Sequence, residues 1–385
     1  MKMIKITLIL TACLFASELL KGGSVSAYTP RIKFDSGSGQ VKLQRKNRTN
    51  WIPVSSGTEI NDGDQILPDR GLTAKVKCIA QGEFVRVPSG KISTLSQVCI
   101  NWISRTNRAS TIDPATAGGV DTTIPYLIAP RHTLLVSNKP LLRWNQVSGA
   151  TQYTVEVTGS SGTVWQTKTK DSQVLYAGKP LNSGEPYTVT IRTNTGKSSL
   201  DDHSSDKRPA NHLDFRILRP SEASAISIKL SNDDTELLEL VEHYSSYTLP
   251  ESLIGTYHLP ADTFDTYSLT GEAISLLEAR IEKGKASPLI HRTLATLYRQ
   301  IGLIRLAEAH YLQAIALFRG LEDLENQTLA QESLGWLYEK DLADPRQALV
   351  YFEQAKAGFS SLGDAGKIDR LQRKITQLKA GIEKS

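Results

Sequence analysis

Apolar and polar positions alternate through most of the first 220 residues, then recur at three- and four-residue spacing. Short alternating runs broken by Gly, Asn, Ser and Pro predict strands at Gly39–Arg45, Asn50–Pro53, Leu72–Cys78, Phe84–Pro88 and Gln97–Ile100. Further runs at Leu141–Trp144, Tyr153–Val157, Tyr187–Ile191 and Leu213–Leu218 extend the β pattern. Beyond Pro220, Leu, Ala, Glu and Gln dominate at helical spacing. The fold class this predicts is all-β followed by all-α in one multidomain chain. A polar stretch rich in Ser, Thr, Pro and Gly places a linker at residues 106–122.

The N-terminus has the order of a secretory signal. Lys2 and Lys5 precede an apolar run from Ile4 to Leu20, and Ser24-Val25-Ser26-Ala27 ends in small residues. This predicts residues 1–27 as a signal peptide and a periplasmic or secreted protein. Leu10-Thr11-Ala12-Cys13 also reads as a lipobox, so lipid anchoring at Cys13 is the alternative. Without Cys13 the chain keeps two cysteines, Cys78 and Cys99, each in a predicted strand. An even pair in an oxidising compartment predicts a disulfide. Residues 28–120 contain no His, so these cysteines lack partners for a zinc site.

The 385 residues are 39% hydrophobic and 22% charged, an ordinary globular mixture. A net charge of +5 over this length does not indicate a nucleic-acid binder. Its distribution is uneven. Residues 28–122 hold 13 basic and 8 acidic residues, and residues 123–220 hold 12 and 7. Residues 221–385 hold 17 and 24. The basic β half suits contact with the cell envelope. The switch of charge and periodicity near Pro220 predicts that few core contacts cross it.

Three segments resemble known families. Gly39-Gln40-Val41, Trp51-Ile52-Pro53, Gly57, Ile60 and Gly63-Asp64 are similar to FecR-like domains, over residues 28–105. With the cysteines and Val87-Pro88-Ser89-Gly90, they resemble the version in exported cyanobacterial proteins. Trp144, Tyr153–Val157 and the Leu181-Gly184-Tyr187 spacing resemble a fibronectin type III or immunoglobulin-like β-sandwich, over residues 123–220. In such a sandwich Trp144 and Tyr187 are core residues, Tyr187 bonding back across a corner. Ala273, Ala307 and Ala348 begin similar helical segments, the first two 34 residues apart. With Leu294, Ala295, Tyr298, Gly302, Tyr311 and Ala314 they resemble tetratricopeptide repeats, implying an α-solenoid within residues 221–385.

That resemblance implies a concave groove lined by Arg292, Thr296, Arg299, Glu332, Trp336 and Glu339, which would hold a protein or peptide partner. Trp336 reads equally as a packing residue. No nucleophile elbow, P-loop, zinc-protease helix or dinucleotide fingerprint occurs, so the chain reads as non-enzymatic, without cofactor or metal. The leading expectation is an exported scaffold. An envelope sensor acting through the FecR-like domain is the alternative, and an envelope carbohydrate-binding protein or hydrolase the third.

Overall fold

The computed structural model describes residues 30–36, 39–78, 83–99, 118–203, 214–220, 223, 233–245, 268–284 and 286–383. The signal segment, Cys13 and most of the predicted linker lie outside the described residues.

The first β region holds two sheets. Strands β1 (Ile32–Ser36), β5 (Thr73–Cys78) and β6 (Glu83–Val87) form one in the order β1-β5-β6. Strands β2 (Val41–Gln44), β3 (Ile52–Val54), β4 (Gln65–Pro68) and β7 (Ser93–Thr94) form the other in the order β3-β2-β4-β7. Alternation along β2, β4 and β5 sends Val41, Leu43, Ile66, Ala74 and Val76 inward, all fully buried. Cys78 and Cys99 are joined, their Cα atoms 5.4 Å apart. The segment before Cys99 is not the expected strand. Thr94 and Gln97 form a reciprocal capping box, which turns Leu95–Val98 into a short helix, α1.

The second β region also has two sheets. One is β13-β10-β8, from β8 (Leu127–Ala129), β10 (Leu141–Trp144) and β13 (Gln173–Leu175). The other is β12-β11-β14-β15-β9, from β9 (Thr133–Leu135), β11 (Tyr153–Gly159), β12 (Gly162–Thr169), β14 (Pro186–Thr193) and β15 (Phe215–Ile217). One buried cluster joins them through Leu142, Trp144, Val155, Tyr187, Ile191 and Phe215. Trp144 meets Tyr153 edge-on at 5.4 Å between centroids. The Tyr187 hydroxyl accepts from the backbone of Asn182 at 2.9 Å, the backward reach its spacing predicted.

The helical region comprises α2 (Asp234–Ser245), α3 (Thr270–Glu282), α4 (Pro288–Gln300), α5 (Ile304–Gly320), α6 (Leu324–Lys340), α7 (Pro345–Leu362) and α8 (Ala365–Ile382). Ala295, Ala307, Ala314, Ala348 and Ala355 are all fully buried, so small residues mark where helices meet. Gly335 in α6 leaves room for Phe352 of α7; an added Cβ would sit 2.8 Å from the ring.

The expectation of few contacts across Pro220 is corrected. Tyr126, Leu134 and Leu218 belong to the same buried cluster as the residues of α3, α4 and α5. The core of the first β region is likewise continuous with Phe352, Phe359 and Leu371 of the helices. Apolar surface on each side is removed from water only by the other.

Candidate functional site

The sequence-predicted groove residues sit on α4 and α6, with α8 next in the array. Each helix has a fixed start: Pro288 opens α4, Asp323 accepts from the Asn326 amide, and Asp364 accepts from the Lys367 amide at 3.0 Å. Helical spacing then puts Arg292, Thr296 and Arg299 on one face of α4, and Glu332, Trp336 and Glu339 on the matching face of α6.

The structure ties most of these side chains to neighbouring helices. Arg292 donates to Asn326 Oδ1 at 2.6 Å, and Arg299 to Asp341 Oδ2 at 2.7 Å. Glu332 pairs with Lys367 at 2.7 Å and also with Arg370. Glu339 pairs with Lys374 at 2.5 Å, yet its Oε2 is buried without a hydrogen-bond donor. Trp336 is half-buried, edge-on to Phe352 at 5.0 Å, with the Lys374 ammonium 5.2 Å from its ring centre. It is therefore a packing residue with one face under a cation. Thr296 is exposed, its hydroxyl shared between the Arg292 carbonyl and Tyr311. The face thus alternates in sign: cations on α4, carboxylates on α6, cations on α8. Burial pushes the Arg292 guanidinium down, an effect partly offset by Glu59 nearby. Burial raises the Asp341 carboxyl despite Arg299.

Sequence reasoning missed Lys367, Arg370 and Lys374 of α8. It also missed what covers the edge of the array where α4, α6 and α8 begin. There the first β region docks through ion pairs. Arg45 bonds Glu325 at 2.6 Å and Asp64 at 2.6 Å; Arg48 bonds Glu325 at 2.9 Å and Asp364 at 2.6 Å. Asp323 accepts from the Ser55 amide and hydroxyl. Along α2 the pairs are Lys33 with Asp233 and Glu236, Lys77 with Glu239, and Arg31 with Glu242. Gly57, at φ 92°, brings the β backbone against Leu289 and Leu238. Burial works against ionisation of Glu59, but Arg31, Arg292 and Arg45 hold its carboxyl below the usual range. The signal for this docking was present in the opposite charge of the two halves.

The second β region grips the helices nearer α3. Arg131 is fully buried, bonded to Asp202 at 3.2 Å and to the Ile301 carbonyl at 2.8 Å. Arg143 bonds Glu278 of α3, which also accepts from the Tyr298 hydroxyl. Beside Tyr298, the Nδ1 atoms of His291 and His310 lie 3.0 Å apart. Among the described residues no three His, Cys, Asp or Glu side chains converge as a metal site, and no helix is long and apolar enough to cross a membrane.

No protein-family model and no curated protein matches this chain. Two solved structures align in part. One is MamA, at 16% identity and a TM-score of 0.21, over 30% of this chain and 72% of that one. The other is BtubC (BKLC) from P. vanneervenii, at 18% identity and 0.24, over 42% and 71%. Both likenesses are too slight to bear on fold or role, which rest here on the chain's own topology.

Proposed function

We propose that this chain is an exported, non-enzymatic scaffold that holds a protein or peptide partner on the inner face of its helical array. In this reading residues 28–105 are a FecR-like module, residues 123–220 a fibronectin-type sandwich, and residues 221–385 a tetratricopeptide-repeat solenoid. The observation that carries it is the charged face shared by α4, α6 and α8. Its exposed Thr296 and half-exposed Arg370 offer polar contacts to a chain lying across the helices. The Cys78–Cys99 bridge supports an oxidising compartment. The test is cross-linking in intact cells, followed by capture with Thr296→Arg and Arg370→Glu variants. Loss of the captured partner from both folded variants is expected. Unchanged capture would place the contact elsewhere.

The sensor reading has one observation in its favour. The first β region meets the helices through ion pairs beside the shared apolar core, so an anion competing for Arg45 or Arg48 would shift that docking. Hydrogen exchange at α6, with and without added polyanion, separates the two readings.

A further inference from the structure

The first β region carries a second surface, independent of the helical face. Strand β6 pairs only with β5, and β7 only with β4, among the described residues. Between these two open edges lies a groove of about 310 Å³, walled by Val85, Pro88, Ile92 and Val98 and rimmed by Arg86 and Lys91. Ile92 is 56% exposed at the groove, so its side chain is available to an apolar ligand group.

The rim is positive. Among the described residues no carboxylate lies within ion-pair distance of Arg86, Lys91 or Arg70, the last packed at the same turn beside Gly90. Among the described residues Arg86 donates one hydrogen bond, to the Thr73 hydroxyl at 3.3 Å. Asp69, next to Arg70 in sequence, is turned to the Gln40 amide at 3.0 Å and to Lys42.

We infer that this groove takes an extended acidic segment of a partner protein as an added strand on β6. The free edge supplies alternating N–H and C=O groups to a peptide backbone. The groove holds one or two apolar side chains, at the small end of ligand cavities. Acidic residues flanking them meet Arg86 and Lys91. Apolar walls and a strand edge recognise a peptide; a phosphate backbone or a lipid headgroup uses the cations alone.

The test is fluorescence anisotropy of the full chain with a labelled peptide of alternating Glu and Val. Saturable binding that weakens with salt is expected. Arg86→Ala with Lys91→Ala should weaken it by about fivefold or more, as two exposed rim charges do. Ile92→Asp should also weaken it, and all three positions are exposed enough for the variants to keep their fold, checked by melting. A peptide of the same composition with alternate amides N-methylated should bind at least tenfold more weakly. Equal binding of the methylated peptide, or full displacement by anionic vesicles with no effect of Ile92→Asp, would reduce the site to a patch of charge and overturn the inference. No binding of the unmodified peptide would overturn it too.

Discussion

Gly358 shows how tightly two repeat helices approach. A Cβ there would lie 2.1 Å from Thr328 Oγ1, and that hydroxyl is itself fixed by donating to the Leu324 carbonyl at 2.7 Å. Gly358→Ala gains helix propensity of up to about 1 kcal/mol but overpacks by about 1–3 kcal/mol, so a net loss of roughly 1 kcal/mol is expected. Adding Thr328→Ala should recover most of it, which a double-mutant cycle by chemical denaturation measures. Glu325 is a second such point. It is 3% exposed and receives both Arg45 and Arg48. Glu325→Ala leaves Arg45 with Asp64 alone and Arg48 with Asp364 alone, and should cost up to about 3 kcal/mol. Some of these residue roles were legible beforehand. The six-residue step from Leu181 to Tyr187 placed the tyrosine correctly, because a corner is a local device. Glu325 was invisible as a ligand of Arg45, because 280 positions separate them.

Within the α4–α5 hairpin, His291 and His310 share a single hydrogen bond, one ring nitrogen carrying the proton and the other accepting it. Their centroids lie 5.3 Å apart, a gap made up by the nitrogen separation and the two ring radii, so the nitrogens meet head to head. Burial, and then His291, lowers the pKa of His310 to about 4. Between pH 6.5 and about 4 the unfolded chain takes up a proton there that the folded chain refuses. Stability is therefore lost as pH falls through that window, by about 1 kcal/mol at its midpoint after solvent screening. Thermal melts at pH 7 and pH 5 should show a smaller shift for His310→Gln than for the parent chain. The register read from Ala273, Ala307 and Ala348 marked helical segments that the structure places in α3, α5 and α7, because helix contacts demand small residues at fixed spacing. It said nothing of pairs such as Arg299 with Asp341, which lies just past α6 and depends on how one helical hairpin leans on the next. Leu95–Val98 misled for a related reason: four residues carry too little period to choose between strand and helix, and a cap decided it.

For the whole molecule, opposite charge in the two halves reads at first as a sign of independence, and the structure makes it complementarity. Basic β residues meet acidic residues of the helical half in at least eight pairs, among them Arg31–Glu242, Lys77–Glu239 and Arg48–Asp364. The isolated fragment 221–385 would lose these partners and expose Leu289 and Leu238, so it should melt several degrees below the full chain, on the scale of roughly 2–4 °C per kcal/mol lost. Circular dichroism on both checks this; equal melting would mean the docking adds nothing to stability. The fold class was legible because periodicity is local, whereas the arrangement of the three regions was not, because it depends on surfaces hundreds of residues apart. The Arg45–Glu325 contact also carries a kinetic meaning. The ribosome releases the β half long before residue 325 exists, so the basic face around Arg45 and Arg48 waits, fully hydrated, for most of synthesis. Loop closure over that span is slow relative to hairpin and helix formation. The docking is therefore a late event in maturation, and a chain truncated before α6 should persist as a loosely assembled species, recognised by proteases at the surface the missing helices would have covered.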